Sequence, residues 1–274
     1  MDRIPTLILT KNRACQTRLL LESLYVNATG IFDPYVIYKA DDDDFEAGYR
    51  ELKKDFKHAR FFQEEDMLSD LYSFLKHFSN DYFALFMDDC IFYKPLRYTA
   101  KELIQFLDDD TWCVSLRLGH NTRDNTSSAI KEVYSSPDFI KYKFKDYGVA
   151  DNYGFYFSWD GVIYKTQDVL DLFNDDDFSN TDNPYAILPQ KIENFTQHKR
   201  DTVKKNLICC PKESHVVCMN YNTTHTNADF DYYPLQELNQ NYLFGRVIDL
   251  STINFDNIKG THDYRPFVMR RRLL

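Results

Sequence analysis

Glycine is scarce in this chain, at only 8 of 274 residues. None of the eight falls in G-x-G-x-x-G or G-x-x-x-x-G-K-[ST] spacing, so the dinucleotide-binding fingerprint and the P-loop are both absent. No apolar run approaches the roughly 18 residues that a membrane-spanning helix needs. The opening Met1-Asp2-Arg3-Ile4-Pro5 lacks the apolar stretch of a secretory signal. The 6 cysteines form no C-x-x-C pair and no zinc spacing; without an export signal they read as reduced thiols of a cytoplasmic protein. Positive charge is in deficit: the net charge is -9, which argues against a general nucleic-acid binder. No Ser-His-Asp order and no H-E-x-x-H occurs, so hydrolytic triads and zincins have no support.

What remains is an ordinary globular composition, 43% hydrophobic and 27% charged, long enough for a sizeable core. Aromatic residues are abundant, with 20 Tyr and 22 Phe; flat amphipathic rings suit sugar or base stacking, although most serve to fill a core. No repeat or low-complexity linker divides the chain, which reads as a single domain with a first half to about residue 118 and a second half from about 119 to 274.

Short apolar runs alternate with amphipathic stretches in the first third. Ile4 to Leu9 reads as a buried strand, followed by a helix from about Ala14 to Tyr25. Tyr35-Val36-Ile37-Tyr38 is a second strand; Phe45, Tyr49, Leu52 and Phe56 then recur at helical spacing. Phe61-Phe62 is a short third strand, Met67, Leu71, Leu75 and Phe78 mark another helix face, and Tyr82 to Met87 is a continuously apolar fourth strand. Such strands alternating with helices predict a mostly parallel sheet covered on both faces. Farther on the pattern predicts a helix over 103–107, a strand at Trp112 to Leu116, an irregular polar flap over 120–155, paired strands around Asp160-Gly161, and helices near 166–174 and 184–199. The last part, 206–274, holds a strand at His215 to Met219, a helix at Pro234 to Leu243 and a basic tail, Arg270-Arg271-Arg272.

In parallel sheets ligands bind in the crevice beyond the carboxyl ends of the strands. Three strand ends here are polar or charged: Thr10-Lys11-Asn12-Arg13, Lys39-Ala40-Asp41-Asp42 and Asp88-Asp89. Two adjacent carboxylates ending a buried strand are costly unless something positive sits there, and hard divalent ions such as Mg²⁺ and Mn²⁺ take carboxylate oxygens together with substrate phosphates. The alternative is a solvated turn, since Asp is a good turn residue.

The run from Thr10 to Arg13 is similar to the "TxNR" opening of family 2-like GT-A glycosyltransferases, and the apolar strand into Asp88-Asp89 to their DXD-type motif. Val114 to Gly119, Ser158 to Tyr164 and the stretch from Asn183-Pro184-Tyr185 to Glu193 resemble, in order and spacing, segments of small bacterial and viral members. The resemblance covers roughly residues 4 to 200. It implies a GT-A, Rossmann-like α/β fold with a mostly parallel sheet and a mixed C-terminal acceptor half. It also implies transfer of a sugar from a nucleotide-diphosphate sugar, UDP-linked by preference, to a glycan or other hydroxyl acceptor, assisted by Mn²⁺ or Mg²⁺. One departure stands out: in a three-acid version of the motif the third acid falls on Cys90, a soft ligand ill suited to Mg²⁺.

The resemblance implies Asp89 as metal ligand and Lewis-acid support for the leaving diphosphate. Asp88 would reach the ribose or a metal-bound water, with Thr10, Asn12 and Arg13 near the nucleotide. One carboxylate of the run Asp41 to Asp44, taken as Asp41, accepts a base N–H or ribose hydroxyl, unless the run is a solvated acidic turn. Arg117, flanked by apolar residues, must pair with an acid or a phosphate. Asp160 is the candidate general base, with inversion at the anomeric carbon, against the alternatives of an Asp-Gly hairpin turn or acceptor binding alone. Asp151 and Glu193 are its rivals. Trp159 and Glu193 are candidate acceptor contacts. The resemblance implies His262, ahead of His225, as the candidate further metal or diphosphate ligand, although a lone His is more often structural. Arg270 to Arg272 reads as a diphosphate clamp, a membrane-surface patch or a solubilising tail. Two rivals stand beside the transferase: a sugar-phosphate nucleotidyltransferase and a non-catalytic carbohydrate-binding protein.

Overall fold

The computed structural model describes residues 2–79, 81–173, 189–222 and 233–272. The strands and helices run β1 (Ile4–Lys11), α1 (Ala14–Asn27), β2 (Phe32–Lys39), α2 (Asp43–Asp55), β3 (Arg60–Gln63), α3 (Met67–His77), β4 (Tyr82–Met87), β5 (Cys90–Phe92), α4 (Ala100–Ile104) and β6 (Thr111–Ser115). There follow β7 (Glu132–Ser135), β8 (Phe139–Lys143), β9 (Val162–Lys165), α5 (Thr166–Phe173), α6 (Pro189–His198), β10 (Leu207–Pro211), β11 (Val216–Met219), α7 (Leu235–Leu243), β12 (Arg246–Ile248), β13 (His262–Asp263) and β14 (Met269–Arg271).

The helices begin where short polar side chains satisfy their first backbone N–H groups. Asp42 accepts from the Phe45 N–H at the start of α2, and Asp66 accepts from the Ser69 N–H at the start of α3. Thr99 and Glu102 form a capping box on α4. The acid run Asp41 to Asp44 is thus mainly a helix start, with Asp43 and Asp44 in a first turn that favours negative charge.

A nine-stranded sheet in the order β3-β2-β1-β4-β9-β6-β10-β8-β7 carries the fold. Its N-terminal part, β3-β2-β1-β4, is parallel throughout. Beyond it, β9 is antiparallel to both β4 and β6, β6 and β10 are parallel, and β10-β8-β7 is antiparallel. The sheet is therefore mixed, with four parallel and four antiparallel pairings, and the expectation of a mostly parallel sheet holds only for its first four strands. Apolar runs report burial but carry no mark of direction, so the apolar run of β9 does not reveal an inserted, reversed strand.

Side chains alternate between two cores. Ile4, Ile8, Val36, Ala84 and Phe86 face one side with α1, α2 and α7, while Leu7, Leu9, Ile37, Phe83 and Leu85 face the other with α3 and α5. A smaller sheet, β13-β11-β5, and the β12–β14 pair close the first side.

Several expectations for the second half are corrected. The 120–155 flap contains the β7–β8 hairpin at the sheet edge. Residues 155–158 form no strand, so Asp160-Gly161 is not a hairpin turn. Arg270 lies in β14 and pairs with Glu22, and Arg272 pairs with Glu51; both are bound to acids of α1 and α2 rather than free as a clamp or tail. His225 and the Asn183-Pro184-Tyr185 stretch lie outside the described residues. Among the described residues no helix is long and apolar enough to cross a membrane. All six cysteines are free and buried.

Candidate metal centre at the sheet switch point

The order β2-β1-β4 reverses chain direction of travel across the sheet between β1 and β4, the place where open α/β sheets form a ligand crevice. The register sets Leu9 beside Met87, so the segments after β1 and β4 emerge together. Asn12, in the left-handed region at φ 59°, turns the chain from β1 into α1. Its side chain donates to Asp41 Oδ2 at 2.8 Å and accepts from the Asp41 N–H at 2.9 Å, tying the β1 turn to the β2 turn. Thr10 Oγ1 lies 2.8 Å from both Thr17 Oγ1 and the Tyr49 hydroxyl. Thr10 and Asn12 therefore build the floor of the crevice. Asp41, with a side chain 49% exposed, also pairs with Lys11 at 3.0 Å.

Arg13 is buried and donates to Asp88 Oδ1 at 2.9 Å and to the Asn222 carbonyl at 2.5 Å. Burial works against its charge, but Asp88 and then Asp89 outweigh that and hold the guanidinium above its ordinary pKa. Arg13 and Asp88 thus pair with each other, with both terminal nitrogens of Arg13 engaged and its Nε buried without a partner.

Asp89 is different. Its Oδ1 is buried and has no hydrogen-bond partner. Desolvation, then the charges of Asp160 and Asp88, push its carboxyl up to about 8. Asp160 reaches the same place from the other half of the chain. Gly161, at φ 67°, donates its N–H to the Leu85 carbonyl and accepts from the Leu116 N–H, locking the residue before it over the end of β4. Arg117 donates to Asp160 Oδ2 at 2.9 Å, and His262 Nε2 lies 3.6 Å from that same oxygen. The His262 ring has Nδ1 at 3.2 Å from Thr261 Oγ1, which leaves Nε2 facing the carboxylates.

Sulfur completes the group. Single ligand atoms of Asp89, Cys90, Asp160 and Cys218 all lie within 4.8 Å of one another. Cys90 pairs directly across from Cys218, and Cys218 directly across from His262, so one row of the small sheet delivers three potential ligands. Asp89 and Asp160 lie within ligand reach of each other and His262 lies 3.6 Å from Asp160, whereas the sequence reading sets Asp160 apart from the metal ligands as a general base. Cys218 was not anticipated, because a cross-strand partner 128 residues from Cys90 leaves no spacing motif.

Glu193, on α6, accepts from the Trp159 N–H at 3.0 Å, and burial followed by the nearby Asp160 charge pushes it up to about 8. Trp159 is 2% exposed and packs edge-on against Phe157, which leaves no open ring face for an acceptor sugar. Asp151 accepts from Ser127 and from the Tyr153 N–H, a loop-building role. The cluster therefore holds four carboxyl groups, Asp88, Asp89, Asp160 and Glu193, against two guanidiniums. Arg13 pairs with Asp88 and Arg117 with Asp160, leaving Asp89 and Glu193 without a salt-bridge partner of their own among the described residues.

No protein-family model matches the chain, and no curated protein matches it significantly.

Proposed function

We propose that the chain is a metal-assisted glycosyltransferase that takes a nucleotide-diphosphate sugar, UDP-linked by preference, in the crevice between β1 and β4. The observation that carries the reading is the buried, unpartnered Oδ1 of Asp89 at the strand end, with Asp160 within ligand range of Asp89 and His262 in turn beside Asp160. A buried carboxyl oxygen that the protein leaves without a partner suits a divalent cation, which would displace its proton, and a divalent cation suits a diphosphate leaving group. The parallel β3-β2-β1-β4 segment and the resemblance of the Thr10 to Arg13 and Asp88-Asp89 stretches support the same class.

The residues fit a divalent ion on oxygen: Asp89 supplies a free carboxylate, and Asp160 lies within ligand range. The two thiols make the set poorer for Mg²⁺ than for Mn²⁺ or softer ions. Such an ion, when bound, neutralises charge that develops on the departing diphosphate. In this reading Asp160 moves from general base to the cation's surroundings, because its carboxylate already faces Asp89. Arg117 orients Asp160 and adds positive charge beside the crevice. The hydroxyl acceptor enters from the exposed side near His262. The nucleotidyltransferase reading loses support from the β1–α1 connection, where no glycine lies between residues 10 and 25 and Asn12 and Arg13 are both engaged.

The test is thermal-shift and calorimetric titration with UDP-, GDP- and CMP-sugars, with and without Mn²⁺. A ligand that binds only the folded state raises the melting temperature. The reading expects a cation-dependent rise with one nucleotide class, lost in Asp89→Ala, and free nucleoside diphosphate released on adding a hydroxyl acceptor. Pyrophosphate release from a nucleoside triphosphate and a sugar phosphate would instead establish the nucleotidyltransferase. Glycan binding with no cation-dependent nucleotide binding would establish the non-catalytic reading.

A further inference from the structure

The cation placed at Asp89 has a second set of neighbours whose chemistry narrows which ion it is. Cys90 and Cys218 face each other across the antiparallel β5–β11 pair with their sulfurs 3.5 Å apart. Two sulfurs bound at about 2.3 Å to one tetrahedral ion stand about 3.8 Å from each other, so this spacing is within a few tenths of an ångström of a ligating pair. One carboxylate oxygen each of Asp89 and Asp160 lies within 4.8 Å of both sulfurs and of the other. A shift of roughly an ångström would close the four onto a single ion.

A buried cysteine ordinarily behaves as a small apolar side chain, and Cys113, Cys209 and Cys210 fit that description in this core. The 90/218 pair differs because two carboxylates, one with an oxygen that nothing in the protein satisfies, share its surroundings. A dry pair of thiols is a poor neighbour for an unpaired carboxylate. A cation between them satisfies both. The thiols form the closed floor of the group, at 0% exposure, and the His262 side chain at 46% exposure marks the side from which an ion and its further ligand arrive.

We propose that Cys90 and Cys218 are themselves ligands of this cation, making a two-sulfur, two-carboxylate centre that selects a borderline thiolate-binding ion of the zinc or cobalt class over Mg²⁺. Each thiol gives its proton to solvent as the metal–sulfur bond forms, and no electron is transferred. Zn²⁺ has no geometric preference of its own and accepts Cys, His and Asp donors, whereas Mg²⁺ demands near-octahedral oxygen. The inference deepens the function proposed above and rests on its cation at Asp89.

The experiment uses the full chain, reduced with a non-thiol reductant under argon and stripped of metal. Titration with Co²⁺ alone is expected to produce a near-ultraviolet sulfur-to-cobalt charge-transfer band and the strong visible bands of a tetrahedral ion. Cys218→Ser and Cys90→Ser each remove most of the charge-transfer intensity and weaken Co²⁺ affinity by about tenfold or more, while Cys209→Ser changes neither. Should a cysteine variant fail to fold, zinc-edge X-ray absorption of the unaltered protein decides the point, with sulfur expected at about 2.3 Å beside oxygen or nitrogen at about 2.0 Å. Stoichiometric Co²⁺ or Zn²⁺ bound with an oxygen-and-nitrogen shell only would overturn the thiol ligation and leave the cation of the transferase reading standing. Absence of binding for Co²⁺, Zn²⁺, Mn²⁺ and Mg²⁺, alone and with UDP, would overturn both.

Discussion

Arg13 and Asp88, 75 residues apart in sequence, close a buried ion pair at 2.9 Å directly beside Asp89, a carboxylate with no such partner. Neighbours in sequence thus have opposite electrostatic situations. Removing one half of a buried pair strands the other charge, so Asp88→Asn is expected to destabilise the protein by about 3–5 kcal/mol in urea unfolding. Arg13→Met should cost a similar amount, and the double variant less than the sum of the two. A loss below about 1 kcal/mol for either single change, the range of an exposed pair, would show that the pair is open to solvent.

Asp89→Asn is expected to behave in the reverse sense. Its carboxyl is raised by desolvation and by the charges of Asp160 and Asp88, so the amide relieves a cost in the metal-free protein. The metal-free variant should melt at or above the temperature of the unaltered chain at pH 8.5, yet lose the stabilisation that a saturating divalent ion confers. Melting scans with and without Mn²⁺ or Zn²⁺ check both halves. A marked drop in the metal-free melting temperature would contradict them.

Glu193 sets a pH dependence whose sign follows from its raised pKa. Folded, it titrates near 8, pushed there first by burial and then by Asp160; unfolded, it titrates at about 4.3. Between those values the native protein holds a proton that the unfolded chain has released. Its contribution to stability is therefore greatest below about pH 4 and falls as pH rises to about 8, by up to roughly 1.4 kcal/mol per pH unit. Asp89, raised to the same range, contributes a slope of the same sign, so Glu193→Gln should reduce the slope in urea midpoints measured from pH 5 to 8 and Asp89→Asn should remove a further part. An unchanged slope would place the titrating group elsewhere.

Arg272 offers a test of the C-terminal strand. Its side chain is 10% exposed, donates to Glu51 at 2.8 Å and lies over the Tyr242 ring at 5.2 Å. Hydrogen bonds to charged groups are worth about 1.5–3 kcal/mol, and Arg272→Ala is expected to lose about that much in denaturant midpoint analysis. Arg271→Ala, at an exposed neighbouring position, serves as the reference change, with an effect within about 0.5 kcal/mol.

The first four strands and their helices were legible because apolar spacing reports burial directly: Phe45, Tyr49 and Leu52 mark the buried face of α2 as surely in the sequence as in the fold. The strand ends were legible too, since Asn12, Asp41, Asp88 and Asp89 are polar residues closing apolar runs, and the structure gathers them at the β1–β4 switch point. What the sequence hid are relations between distant segments. That Arg13 neutralises Asp88, that Cys218 lies across from Cys90, and that Arg270 pairs with Glu22 are tertiary facts without local signature. Trp159 shows the complementary limit: a ring beside Asp160 looks like a platform for a sugar, but only packing decides whether its face is open.

The small sheet β13-β11-β5 has a consequence for how the protein is made. Its three strands come from residues 90–92, 216–219 and 262–263, so the surroundings of Asp89 and Cys90 draw on three widely separated stretches of chain. A nascent polypeptide can pair β1, β2, β3 and β4 and form the crevice while still on the ribosome, but it has no His262 to present until long after β4 has emerged. A transcript cut short upstream of codon 262 therefore encodes the cleft without the strand that finishes its floor.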